Sequence, residues 1–177
     1  MMRLQMVSAK PVVWIFGDEE ANGVRDTLKA VDSVDIDIRC YAYAGATLES
    51  VMDAQLLMAL GSGTHPTAII VVAGAFDALF SAMSGGTPTD AADLISDRVS
   101  RLHIMLRLRK LHNVFLILYY SLNINEHIVN VGLPSAWAEQ VCTRVGDEPY
   151  ATLDAPAMLE TLLSGLGFGK DACHESS

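Results

Sequence analysis

Short apolar runs alternate along this chain with longer segments whose apolar residues recur at helical spacing. Pro11–Phe16 is a continuous apolar run of the buried-strand type, closed by Gly17 and Asp18. Glu19 to Ala30 reads as a helix, with acids in the first turn where the helix dipole favours them. Val34–Tyr41 alternates apolar and polar residues as a half-buried strand does, and the chain then turns at Ala44 and Gly45. From Thr47 to Leu60 the residues Leu48, Val51, Met52, Leu56 and Ala59 have helical spacing, and Gly61-Ser62-Gly63 stops them. Thr67–Ala73 is the next strand and ends at Gly74; a loop rich in Gly and Thr, Ser84–Thr89, follows. Thr87-Pro88-Thr89-Asp90 has the form of a helix start, with Pro at the first helical position and an acid three residues after the cap. Ile95, Val99, Leu102 and Leu106 line one face of a long helix ending at Asn113. Val114–Tyr119 predicts a central strand, Pro134–Thr143 a helix, Tyr150–Asp154 a last strand and Ala157–Leu163 a short helix. The tail from Gly165 to Ser177 is Gly-rich and then polar.

Strand–helix alternation of this kind predicts an α/β fold, a three-layer α/β/α arrangement around a central, mostly parallel five-stranded sheet. The chain divides into an N-terminal extension, residues 1–10, and one domain, residues 11–177. At 177 residues, 51% apolar and 19% charged, it can bury a substantial core. The net charge of −9 excludes wholesale binding to nucleic-acid phosphates or anionic membranes. That charge is uneven, because residues 90–112 alone carry a positive balance, five cations against three acids. The three cysteines, Cys40, Cys142 and Cys173, form no C-x-x-C pair, which predicts a reducing, cytoplasmic setting. The longest apolar runs are too short to span a membrane. His65, His103, His112, His127 and His174 lack the close spacing of metal ligands, so neither metal nor cofactor is expected.

In open parallel sheets, sites form at the carboxyl ends of the strands. Here those ends are Gly17-Asp18-Glu19, Ala44-Gly45-Ala46, Gly74-Ala75-Phe76-Asp77 and Ser121-Leu122-Asn123, with Asp171-Ala172-Cys173-His174 near the C-terminus. Taken in order, they resemble the SGNH (GDSL-type) hydrolase family, from about Val12 to His174. Within that family, Pro11–Asp18 and Tyr43–Leu48 are most similar to small esterase-like domains encoded by retroelements and some viruses. A flavodoxin-like alternative fits less well, because Gly17–Gly23 carries acids where a phosphate would sit.

The resemblance implies a serine nucleophile after Asp18, oxyanion donors from the nucleophile N–H, the Gly45 N–H and an Asn side chain, and Asp171 orienting His174 as the base. Two positions depart from it. Glu19 stands where the serine belongs, and a carboxylate forms no ordinary acyl-enzyme. Phe76 stands where the Asn belongs and offers no donor. Losing a nucleophile costs several orders of magnitude in rate, and an oxyanion donor about 10²–10³. The expectation is therefore a catalytically degenerate domain that acts by binding a protein partner, a second copy of itself or a small ester-like ligand.

An alternative is a hydrolase in which Glu19 or Asp18 serves as base for a water, assisted by Asp171 and His174. Some inactive members of the family bind RNA, so Arg98, Arg101, Arg107, Arg109 and Lys110 form a candidate RNA contact for an accessory protein; as a helix's solvent face they need no partner. Plainer roles are open at the other positions. Glu19 and Glu20 serve as first-turn helix acids, Asp77 as a cap for the segment after it, and Gly17, Gly45 and Gly74 as the glycines of tight turns. Tyr119, Tyr120, Trp137 and the methionines from Met52 to Met58 line either the core or a self-association surface.

Overall fold

The computed structural model describes residues 10–31, 35–112 and 114–117, together with the helical positions 137, 140, 141 and 143. Four strands, β1 (Val12–Gly17), β2 (Asp37–Ala42), β3 (Ala68–Val72) and β4 (Val114–Ile117), form a sheet of order β2-β1-β3-β4. Every neighbouring pair is parallel, with Ile15 opposite both Cys40 and Ile70. Parallel neighbours need crossover connections, and helices supply them. Helix α1 (Glu20–Lys29) joins β1 to β2. One helical run, made of α2 (Leu48–Ser50), a π-helical turn (Val51–Gln55) and α3 (Leu56–Gly61), joins β2 to β3. Helices α4 (Ala75–Met83) and α5 (Pro88–Leu108) lie between β3 and β4.

The inner strands are buried on both faces, so β1 and β3 read as continuous apolar runs. Strand β2 is half-buried throughout, lies at one edge of the described sheet, and carries a charged pair, Arg39 to Asp37 at 3.2 Å. Trp14, Phe16, Ile69 and Val71 face α2 to α5, meeting Ile95, Val99, Leu102 and Leu106. Val13, Ile15, Ile70 and Val72 face the other way, where α1 contributes Ala21, Val24 and Leu28. The three layers follow from this period-two alternation meeting helical stripes.

Several expectations are corrected by the structure. Strand β2 begins at Asp37 rather than Val34, and the expected single α-helix from Thr47 contains a π turn. Helix α5 opens with the predicted capping box, in which the Asp90 N–H donates to Thr87 Oγ1 at 3.2 Å and the Thr87 N–H donates to the Asp90 carboxylate at 2.7 Å. It ends at Leu108 rather than Asn113, and Lys110 takes a left-handed φ of 58°. The sequence pattern does not predict helix α4, because Ala75–Met83 is mostly apolar and its polar phase is inverted: Asp77 is buried while Phe80 and Met83 are exposed. Met52 and Trp137 are core residues, not surface, whereas Met58 is exposed. Of the predicted helix 134–143, the four described positions are helical. The expected fifth strand, Tyr150–Asp154, the helix Ala157–Leu163, and Tyr119 and Tyr120 lie outside the described residues.

At the end of β1 the chain leaves the sheet beneath the Val72 carbonyl. A Cβ on Gly17 would collide with that carbonyl, and its φ of 142° disfavours any L side chain. Gly17→Ala is therefore expected to abolish cooperative unfolding or lower stability by at least ~3 kcal/mol. Thr87→Ala, which removes only a helix cap, is expected to cost about 1 kcal/mol. Urea unfolding followed by circular dichroism measures both.

Candidate functional site

The site is built on the Gly17 turn. The Gly17 N–H donates to Gln55 Oε1 at 2.7 Å, and the Gly17 carbonyl accepts from Gln55 Nε2 at 2.9 Å and from the Tyr43 N–H at 3.1 Å. Gln55 is fully buried and belongs to the π turn, a feature that recurs at functional sites. One carboxamide thus ties the helical run after β2 to the end of β1. The sequence reading missed it, although a lone Gln between Met52 and Ala59 on an apolar helix face signals a buried polar group that must be paired.

Asp18 follows, with its side chain fully buried. Its Oδ1 accepts the Glu20 N–H at 3.0 Å, and its Oδ2 has no hydrogen-bond partner among the described residues. Burial pushes its carboxyl up to about 7, opposed by the Glu20 N–H and reinforced by the negative charges of Glu19, Glu20 and Asp77.

Glu19 points out of this turn. Its carboxylate accepts the Gly45 N–H at 2.9 Å, across the mouth between the β1 and β2 strand ends. Gly45 has a φ of 73°, which aims its N–H at that carboxylate. Phe76, in the first turn of α4, lies beside Gly45, and a Cβ there would sit 3.9 Å from the Phe76 ring. Phe76 also meets Phe80, with centroids 6.2 Å apart. Glu19 is thus more than a first-turn helix acid: it occupies the cap position of α1, and its side chain caps nothing there.

Gly74 precedes α4 as its cap residue, and Asp77 is fully buried in the first turn. Asp77 reaches beyond its own helix. Its Oδ2 accepts the Leu48 N–H of α2 at 3.0 Å, and its Oδ1 accepts Arg98 Nη1 of α5 at 2.6 Å. Burial raises the Asp77 carboxyl, while Arg98 and the Leu48 N–H pull it down. Arg98 also donates to Glu49 at 2.6 Å and is only 17% exposed. This corrects the expectation of five solvent-facing cations: Arg98 is an internal tie, and Arg101, Arg107, Arg109 and Lys110 remain exposed. Its position bordering the apolar face of Ile95, Val99 and Leu102 is the sequence signal for that role.

The structure therefore brings together Gly17, Asp18, Glu19, Gly45, Gly74, Phe76 and Asp77 at three adjacent strand ends. Asp171 and His174 lie outside the described residues. Among the described residues, no three His, Cys, Asp or Glu side chains form a metal-binding group, and no helix is long and apolar enough to cross a membrane.

Solved structures similar to the chain include hydrolases. A lipase/acylhydrolase from Enterococcus faecalis aligns with 14% identity and a TM-score of 0.50, over 86% of this chain and 79% of that one. AlinE4, an SGNH-hydrolase-family esterase, aligns at 15% identity and 0.45, over 90% and 94%. The psychrotrophic esterase EstA from Pseudoalteromonas sp. aligns at 13% and 0.43, over 92% and 86%. No protein-family model and no curated protein matches the chain. At these identities the likeness is one of fold alone: the chain shares the α/β fold of the Enterococcus faecalis lipase/acylhydrolase.

The raised Asp18 carboxyl has a consequence for stability. Its usual value in an unfolded chain is 3.8, so between about 4 and 7 the folded protein holds a proton that the unfolded chain has released. Stability from this group is complete below that window and is lost as pH rises through it. The raised Asp77 carboxyl acts in the same direction. Asp26 and Asp90, held below the usual range by Arg25 and by Thr87, act in the opposite sense but only at lower pH. Urea unfolding of the wild type is expected to show stability falling from pH ~4 to pH ~7, with a shallower fall in Asp18→Asn.

Proposed function

We propose that this domain is a catalytically degenerate SGNH-hydrolase-like module that acts by binding rather than by ester hydrolysis. One observation carries the reading: the carboxylate at the nucleophile position is itself seated on the Gly45 N–H, at 2.9 Å. In the hydrolase arrangement that N–H is a donor for the developing oxyanion. Here a resident negative charge already occupies it, and a second one would be repelled. Phe76 covers the neighbouring position with an apolar ring in place of a donor. The occupant of such a cleft is a neutral or cationic group of a partner or of a small ester-like ligand.

An altered hydrolase mechanism is less well supported. Asp18 has a proton affinity suited to a base near neutrality, but its carboxyl is closed off from solvent. Glu19 is exposed, but with its charge on the Gly45 N–H it stands where the negative charge of ester hydrolysis would develop. The RNA reading rests on four exposed cations once Arg98 is tied to Asp77 and Glu49, against an overall charge of −9.

A fluorophosphonate serine-hydrolase probe is expected to leave the wild-type protein unlabelled. Hydrolysis of p-nitrophenyl acetate should be equal, at background, for the wild type, Glu19→Gln and His174→Ala. Labelling of the wild type, or a rate that drops in either variant, would overturn the reading. Glu19→Ser combined with Phe76→Asn is expected to gain probe labelling, because it returns both the hydroxyl and the donor.

A further inference from the structure

We propose that the groove between α4 and α5 is a docking surface for a basic amphipathic helix of a partner protein. Phe76, Phe80 and Met83 follow one another at helical spacing along one line of α4. Phe80 is 48% and Met83 63% exposed, so this wall offers an apolar strip. The other wall is the first half of α5, where Asp90, Asp93 and Asp97 are all exposed. Between the walls lies an open cleft of about 460 Å³. Phe80, Ser81 and Ser84 line it from the α4 side, Leu94 and Arg98 from α5, and Glu49 from α2.

The charges decide what such a groove accepts. Residues 75–97 carry four acids and no lysine or arginine. The cation that follows them is already engaged, because Arg98 is bonded to Asp77 and to Glu49, each at 2.6 Å. An anion would meet only uncompensated acids along α5, which sets aside RNA and anionic lipid as occupants. A small amine could enter the cleft but would leave most of both walls uncovered, since Asp90 to Asp97 alone spans about 10 Å of helix. A helix with leucines on one side and lysines on the other matches both walls at once. Its apolar side lies on Phe80 and Met83, and its cations face the α5 acids. One lysine reaches into the cleft, where the Ser81 and Ser84 hydroxyls have no hydrogen-bond partner among the described residues and can accept its N–H groups. This partner deepens the binding reading above without depending on the lost chemistry. Ester hydrolysis by the wild type would overturn that reading alone, since none of the residues varied below belongs to the Gly17–Gly45 mouth.

Fluorescence anisotropy tests the proposal with a labelled peptide of about 18 leucines and lysines, patterned to place them on opposite faces of a helix. The full chain is expected to bind it with a Kd of about 1–100 µM at ~0.1 M salt. Phe80→Ser with Met83→Ser should weaken binding at least ~10-fold, and so should Asp93→Lys with Asp97→Lys. Asp26→Lys with Asp35→Lys makes the same change of net charge at exposed positions away from the groove, Asp26 lying on α1 across the sheet. That pair should weaken binding less than ~3-fold. The peptide with glutamate in place of lysine should not bind. Circular dichroism checks that each variant is folded. A wild type that does not bind the basic peptide overturns the proposal. So does binding indifferent to either groove pair, or a loss from the Asp26 and Asp35 pair as large as that from Asp93 and Asp97.

Discussion

Everything at the mouth of this domain hangs on the pair of hydrogen bonds between the Gln55 carboxamide and the Gly17 backbone. The Val72 carbonyl leaves no room for a side chain at position 17, and the buried Gly17 N–H finds its acceptor in Gln55 while the Gly17 C=O accepts from Gln55 as well as from Tyr43. Left unpaired, that N–H would cost about 1–3 kcal/mol. One side chain satisfies both, and because Gln55 sits on the helical run after β2, the same bonds fix that helix to the first strand. The Tyr43 N–H on the Gly17 carbonyl then holds the loop that carries Gly45. The distance from Glu19 to Gly45 is thus a consequence of how Gly17 is held.

How legible this was in the sequence depended on whether a feature advertises itself locally. Strands β1 and β3 did, as apolar runs stopped by glycine, and the start of α5 did, through Thr87 and Asp90. Helix α4 did not, because its contrast is inverted: Asp77 is buried while Phe80 and Met83 are exposed, so its polar phase marks no solvent face. The strand-end glycines and the departures at Glu19 and Phe76 could be read in order. What Glu19 does with its carboxylate could not, since a contact 26 residues away is a property of the assembled sheet. Arg98 shows the same limit from the other side. Among five cations in one stretch it looks like solvated charge, and only the packing of α5 beside α2 and α4 shows that it reaches a buried acid.

The acids at the mouth carry different duties. Asp77, which the family resemblance marks as part of the third strand-end motif, joins three helices here: α4 that bears it, α2 through the Leu48 N–H, and α5 through Arg98. Removing it would leave a buried arginine facing only Glu49, so selection on folding alone would preserve it. Gly17 is held by the same logic of fit. Glu19 is under no such constraint, being exposed and bonded only across the mouth. Gly17 and Asp77 are thus fixed by what surrounds them, whereas the fold does not dictate the side chain at position 19. An anionic mouth with Asp18 buried beneath it follows from those separate pressures, and it disfavours the negative charge that ester hydrolysis would have to develop there.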